Sequence, residues 1–284
     1  MLGGGTVLDL YAIDTELKKA RAQAGGATAT TMNFIVYVDS KSLQARAGER
    51  ARTLCEKYPA RVIMLHTDQE AAKVSTTAKK LGEDATINTE FIELGIERMT
   101  PQAIVSAVNT LRVADTPNIL FWISKTIANE TLFDDLIGMM NTVIVDSSGI
   151  DHADFAIRQL CEFFRTGPKL HIRDLAYLRL APWQDMIAHF FDDERFLADL
   201  HRIDRVEITS GSLAEAYYLV GWLASRLKWD PCGKLVLCAP NGQQINVVLK
   251  HDGEPRRVLR LALFTPDSSF CAELTESPDT VCLS

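Results

Sequence analysis

No run of about 18 apolar residues occurs in the 284-residue sequence, so no membrane-spanning helix is expected and no membrane partner. The first ten residues lack a basic start followed by an apolar core, so no secretory signal is read there and a cytoplasmic location is expected. A basic excess is missing as well: 37 acidic residues against 30 basic ones give a net charge of −7. A nucleic-acid binder would show a basic face, so nucleic acid is not an expected partner, leaving at most a local patch around Arg256 and Arg257. Cysteine is sparse. The six (Cys55, Cys161, Cys232, Cys238, Cys271, Cys282) are dispersed in a chain too long to need stapling, and free thiols are the expectation in a reducing cytosol. Cys271 and Cys282 lie near the end of the sequence and are expected at the surface.

The signatures of catalysis and phosphate binding are absent too. No Gly-x-Gly-x-x-Gly follows the first strand. Val38 leads instead into Asp39-Ser40-Lys41-Ser42, with no glycine to let a pyrophosphate approach the backbone. There is no Gly-Lys-Ser/Thr loop, and Gly3-Gly4-Gly5 precedes any strand and reads as a flexible terminus. None of the histidines pairs with another His or with Cys at a metal-ligand spacing. No Ser-His-Asp or Cys-His order stands out. The expectation is therefore no cofactor, no metal and no catalytic residue.

What is present is an ordinary globular composition, 47% hydrophobic and 24% charged. Residues 8–23 carry Leu8, Ala12, Leu17 and Ala20 among charges and predict a short amphipathic helix; Gly25, Gly26 and the run to Thr31 predict a loop. Residues 33–39 form a continuous apolar strand of the kind buried on both faces of a parallel sheet. Further strands are expected at 61–66, 85–94, 118–123 and 142–145. Helices are expected at 42–57, ended by Tyr58-Pro59, at 69–81, at 101–111 with Thr100 as cap and Pro101 in the first turn, and at 151–164. Such alternation implies βαβ units and a mostly parallel, doubly wound α/β domain over residues 30–166, after an N-terminal helix and linker at 1–29.

After Gly167-Pro168 the pattern changes to a helical connector and a smaller α+β domain, residues 167–284. A helix is expected at 183–191 with Pro182 in its first turn, and a strand at 205–209. Ser212 and Glu215 have capping-box spacing. They open a helix to about residue 228 that is apolar nearly all round until Arg226, and so expected to be buried. Asp230-Pro231 ends it. Residues 235–238 and 245–249 flank Asn241-Gly242, a hairpin signal. Asp252-Gly253 marks a second turn before strands at 258–264 and 269–274, giving an antiparallel meander.

Two segments are candidate sites. The fifth strand runs into Asp146-Ser147-Ser148-Gly149, where open α/β sheets place ligands. That loop is either a ligand site or a turn in which Ser148 or Asp151 caps the next helix. Cys232 and Cys238 bracket Gly233. Six residues of one strand would span about 20 Å, whereas a disulfide needs Cα atoms within about 7 Å. Two separate thiols are the default, and a redox pair stays open only if the chain turns between them.

Several blocks carry a family likeness. Pro117-Asn118-Ile119-Leu120-Phe121-Trp122 is a proline leading into an apolar strand that ends in tryptophan. Val143-Ile144-Val145-Asp146-Ser147-Ser148 is a strand running into a turn. The most specific block joins Asp174-Leu175-Ala176-Tyr177-x-Arg179-Leu180-x-Pro182-Trp183 to Gly221-Trp222-Leu223-Ala224-Ser225-Arg226-Leu227-x-Trp229. Arg61-Val62-Ile63 adds a further match. In order and spacing, over roughly residues 30–250, these resemble the OpcA family of glucose-6-phosphate dehydrogenase assembly proteins, which often has tryptophan where Tyr177 stands.

The resemblance implies a non-enzymatic role. Such a protein binds glucose-6-phosphate dehydrogenase and promotes its assembly or activity at the entry to the oxidative pentose phosphate pathway, in some lineages with a link to redox state. Asp174, Tyr177, Arg179, Trp183, Arg226 and Trp229 are the candidate partner-binding residues, since tryptophan and arginine are enriched at interface hot spots. Trp122, Pro182 and Trp222 are the candidate anchors, and Trp183 is open to a core role as well. Asp174 and Arg179 read as a partly buried ion pair. The rival reading is an enzyme or sensor for a sugar phosphate or nucleotide, with its site at the Asp39, Asp146 and Ser147 loops.

Overall fold

The structure, a computed structural model, describes residues 9–24, 27–28, 30–67, 72–81, 85–127, 131–150, 152–166, 170–253, 257–274 and 281–283. The Gly3–Gly5 run, Leu8, Gly25, Gly26, residues 69–71, Asp151, Gly167, Pro168, Arg256 and the Cys282 side chain lie outside the described residues. The chain forms two compact units, Met1–Val145 with Gln159–Arg173 and Asp146–Arg158 with Asp174–Ser284.

The first unit opens with α1 (Leu10–Ala24), which buries Ile13 and Leu17, and the two-residue β1 (Ala27–Thr28). β2 (Met32–Val38) is buried at all seven positions, as its apolar run Phe34–Val38 requires, and the buried Asn33 amide donates to Val113 O, Thr116 Oγ1 and Asn118 Oδ1. α2 (Lys41–Lys57) turns Ala47, Ala51 and Cys55 inward, and these small side chains let it lie close to its neighbours. β3 (Ala60–His66), β4 (Lys73–Leu81) and β5 (Ala85–Gly95) follow. α3 (Pro101–Leu111) starts as expected, with Thr100 Oγ1 accepting the Ala103 N–H. β6 (Asn118–Ile123), α4 (Thr131–Ile137), β7 (Thr142–Val145), α5 (Ala153–Thr166) and β8 (His171–Asp174) complete the run, α5 belonging to this unit from Gln159.

The strands form one sheet in the order β1-β5-β3-β2-β6-β7-β8, with β4 also on β5. The β1–β5, β3–β5, β2–β3, β2–β6 and β6–β7 registers are parallel; β4–β5 is antiparallel. The first strand of the α/β run thus sits mid-sheet, with β3 on one side and β6 on the other. Ile35, Ile63, Ile92 and Leu120 are fully buried.

The helix expected at 69–81 is a correction: residues 73–81 are β4. Val74, Thr76 and Thr77 are β-branched and favour extended backbone. Pairing along the whole segment, from Lys73 opposite Glu93 to Leu81 opposite Ala85, overrides the weak helical pattern.

In the second unit, residues 147–149 form a 3-10 turn and α5 begins. After β8 come α6 (Leu175–Leu178), α7 (Ala181–His189), α8 (Glu194–Leu197), β9 (Arg205–Ser210) and α9 (Leu213–Leu227). β10 (Asp230–Gly233), β11 (Val236–Cys238), β12 (Gln244–His251), β13 (Val258–Phe264), β14 (Ser269–Leu274) and β15 (Val281–Leu283) finish the chain. Their sheet has the order β10-β11-β12-β9-β13-β14-β15 and is largely antiparallel.

The plain meander is therefore a second correction. β9 lies between β12 and β13, and the β9–β12 pair is parallel. A parallel pair needs a crossover, and the chain through α9 supplies it. β9 belongs at the centre because Val206 and Ile208, on one face, are fully buried. They join Leu219, Leu223, Trp183, Trp229, Ile245, Leu261 and Leu263 in one core. The Asn241-Gly242 turn does join β11 to β12, with Gly242 at φ +85 and its N–H on Ala239 O. Among the described residues no helix is long and apolar enough to cross a membrane.

Candidate functional site

The Asp146 loop, α6 and α9 meet within the second unit in one polar network. Asp146 follows β7 and closes the 3-10 turn by accepting the Ser148 N–H at 3.3 Å and the Ser148 hydroxyl at 2.6 Å. Asp174 starts α6. Its Oδ1 accepts the N–H groups of Ala176 at 2.9 Å and Ser147 at 3.1 Å, and its Oδ2 accepts the Tyr218 hydroxyl at 2.8 Å. One helical turn later stands Arg179. Its guanidinium donates to both Asp146 oxygens, at 2.7 and 3.0 Å, to Ser148 Oγ at 2.7 Å, and through Nε to Glu215 Oε1 at 2.8 Å.

This corrects the expected Asp174–Arg179 ion pair. Both Asp174 oxygens are occupied by N–H and hydroxyl donors. The planar fork of Arg179 reaches two other carboxylates instead, a geometry that arginine supports and lysine does not. The capping box is also half corrected. Ser212 Oγ accepts the Glu215 N–H at 3.5 Å, but the Glu215 carboxylate turns inward to Arg179 and to the Val258 N–H at 3.0 Å. Glu215 is 1% exposed. Glu215 and Tyr218 are the members that sequence reasoning missed. The helix-cap spacing gave Glu215 a sufficient local explanation and hid its long-range one.

The charges are balanced accordingly. Burial pushes the Asp146 carboxyl up, but the Arg179 guanidinium and the Ser148 donors outweigh it and hold it below the usual carboxylate range. For Glu215 burial wins, and the carboxyl stays above its ordinary value despite Arg179. Burial alone would depress the Arg179 guanidinium; Asp146 and Glu215 instead raise it. Every carboxylate oxygen of Asp146, Asp174 and Glu215 already has a donor, so the network orders the chain rather than offering a free base.

The other candidates separate into surface and core. Tyr177 is exposed and meets the Tyr218 ring edge-on, and Arg226 is exposed at the end of α9. Trp183 and Trp229 are buried, at 6% exposure each. Trp222, expected in the core, is half-buried and only packs against it. The helical repeat turns Leu219 and Leu223 inward and leaves Trp222 to one side. Pro182 is exposed and acts by starting α7, not as a buried anchor. Trp122, in the first unit, is buried, stacks on Tyr37 at 3.8 Å and donates to Thr126 O.

Cys232 and Cys238 form a disulfide, which overturns the default of separate thiols. The chain turns between them, β10 pairs antiparallel with β11, and the Cα atoms stand 5.8 Å apart. Cys55, Cys161 and Cys271 are free. Cys271 is half-buried rather than exposed, and burial pushes the Cys55 thiol up to about 11.

In the first unit, Asp39 at the end of β2 accepts the Ser124 hydroxyl at 2.6 Å and the Lys125 N–H at 3.0 Å. This ties the loops after β2 and β6 together at the point where the strand order reverses. Glu90, fully buried, is bridged by Arg21 and Arg61, and the two guanidiniums outweigh the burial that would raise it, holding its carboxyl below the usual range.

Fold and site define a mixed α/β protein of two units, one with a mostly parallel sheet and one with a largely antiparallel sheet laced by buried ion pairs. Two family models match it: the glucose-6-phosphate dehydrogenase subunit N-terminal domain over residues 51–162 and the C-terminal domain over residues 170–281. The chain belongs to the OpcA family, as the sequence blocks imply. A relative from Nostoc punctiforme, provisionally named OxPP cycle protein OpcA, is 32% identical over 184 residues, covering 62% of this chain and 39% of its own. One from Synechocystis under the same name is 28% identical over 219 residues, covering 70% of this chain and 46% of its own. The chain spans less than half the length of these curated relatives.

Among solved structures, a levoglucosan dehydrogenase with NADH and L-sorbose aligns over 90% of this chain and 79% of its own, at 8% identity and TM-score 0.45. A myo-inositol dehydrogenase from Lactobacillus casei aligns over 89% and 79%, at 10% identity and TM-score 0.41. At these scores the likeness carries no argument about site or ligand.

Proposed function

We propose that this chain is a non-enzymatic cytoplasmic protein that binds glucose-6-phosphate dehydrogenase and promotes its assembly or activity, in support of the oxidative pentose phosphate pathway. The observation that carries the reading is the match of both dehydrogenase-subunit domain models, in order, across most of the chain. The strand-end chemistry supports it. The Asp39 carboxylate is bound to Ser124 and Lys125 at the crevice where an open α/β sheet takes its ligand, and Asp146 is bound to Arg179. Asp146, with donors on both oxygens, makes a poor catalytic base. On this reading the first unit binds no dinucleotide, and micromolar NAD or NADP binding by calorimetry would refute that part.

The partner surface is built from the exposed members of the diagnostic block, Tyr177, Arg179 and Arg226. The Cys232–Cys238 bond gives redox state a route to that surface, and Cys232→Ser/Cys238→Ser should abolish any dependence of partner affinity on oxidation. The test of the reading is a pull-down from native cytosol. The dehydrogenase should co-purify, and the isolated chain should not consume sugar phosphate. Turnover by the chain alone that is lost in Asp146→Asn would establish the enzyme reading instead.

A further inference from the structure

The second unit holds a cavity of about 430 Å³ beside the Asp146 loop. Two helices begin on it: α5, through Ala153, and α9, through Leu213. The first-turn N–H groups of a helix have no intrahelical acceptor, and the helix dipole adds partial positive charge there. The Phe155 and Glu215 N–H groups are already taken, by His152 O and Ser212 Oγ, so the seat for an anion is made by the N–H groups ahead of them in each first turn.

An independent observation points to a ligand. Ser147 lines the cavity and is fully buried, and its hydroxyl has no hydrogen-bond partner. Its N–H is donated to Asp174 and its carbonyl accepts the Ile150 N–H, so the hydroxyl is the polar group it has left to offer. A buried polar group without a partner is unusual in a folded protein. His152 and His251 are also among the lining residues, and an imidazole offers a ring N–H donor. Opposing charge is muted: Asp154 lines the cavity too, but pairs with Arg158 at 3.8 Å, and Asp146 and Glu215 are held by Arg179.

The volume is of small-molecule size and larger than a bare phosphate requires. We propose that this cavity binds the phosphate monoester of a small polyhydroxy compound, with the phosphate at the two helix starts and Ser147 and the hydroxyls toward the imidazoles. The proposal goes beyond the dehydrogenase reading and needs no dehydrogenase for its test, so the two can fail separately.

The experiment is calorimetric titration of the 284-residue chain with glucose 6-phosphate, glucose and inorganic phosphate. Glucose 6-phosphate should bind about tenfold or more tighter than inorganic phosphate, and glucose should give no heat. Ser147→Ala should weaken the phosphate ester about tenfold. His251→Glu, at an exposed position, should abolish its binding with an unchanged melting temperature, and it serves where Ser147→Ala fails to fold. No binding of glucose 6-phosphate, or equal binding by parent and His251→Glu, would overturn the site. Inorganic phosphate binding as tightly as the ester would overturn the polyol part.

Discussion

Replacing Arg179 by alanine takes a guanidinium from two carboxylates at once. Asp146 is within reach of water, but Glu215 is not, and an orphaned buried carboxylate is costly. The Arg179 side chain is 40% exposed, so water replaces part of what is lost. The expected cost is the low end of the range for a broken buried pair, about 3 kcal/mol, read by urea denaturation. Arg179→Lys should recover less than half, because one ammonium cannot serve both partners. Glu90 gives the pH signature. Its folded pKa lies below the ordinary 4.5, so its contribution is fully present above that value and is lost as pH falls through the lower one. Urea melts at about pH 5.5 and about pH 3.5 should show a smaller loss in Glu90→Gln than in the parent. Glu215 works in the opposite direction, since a raised carboxyl loses stability as pH rises. At this scale the sequence showed which residues matter better than whom they touch. Asp146 was legible as a candidate loop residue and Asp174 and Arg179 as a candidate pair, but not the contact that joins Arg179 to Asp146. The Arg179–Glu215 pair was not, because the partners lie 36 positions apart and each had a plausible local role.

Secondary-structure elements whose local chemistry agrees with their surroundings were legible almost to the residue. α3 has its threonine cap and its proline, and β2 and β6 have unbroken apolar runs. β4 was lost because its pairing with β5, rather than its own pattern, makes it a strand. β9 was found as a strand, but its central place depends on a crossover that no turn signal encodes. Trp222 on α9 and Trp229 just past its end trade the roles expected of them. Trp229→Ala should cost about 3–5 kcal/mol by opening a cavity, whereas Trp222→Ala, half-buried, should cost less than half of that, both measured by chemical denaturation. The β10–β11 disulfide closes a short loop, so Cys232→Ser/Cys238→Ser should lower stability by about 2 kcal/mol at 25 °C on the chain-entropy account. Hydrogen exchange should place the loss in β10 and β11, and uniform loss across the sheet would contradict a local staple.

For the molecule as a whole, the exposed members of the diagnostic block are where partner binding should be felt. Arg226→Ala should leave the melting temperature unchanged while weakening dehydrogenase binding by about 1–3 kcal/mol, as a hot-spot arginine does. Intact binding by that variant together with Tyr177→Ala would move the surface elsewhere. The most direct measurement adds the purified chain in steps to glucose-6-phosphate dehydrogenase from the same cytosol and follows NADPH formation. The rate should rise and saturate with the added chain, and the chain alone should form no NADPH. An unchanged dehydrogenase rate at saturating chain, or turnover without the dehydrogenase, would contradict the proposed function.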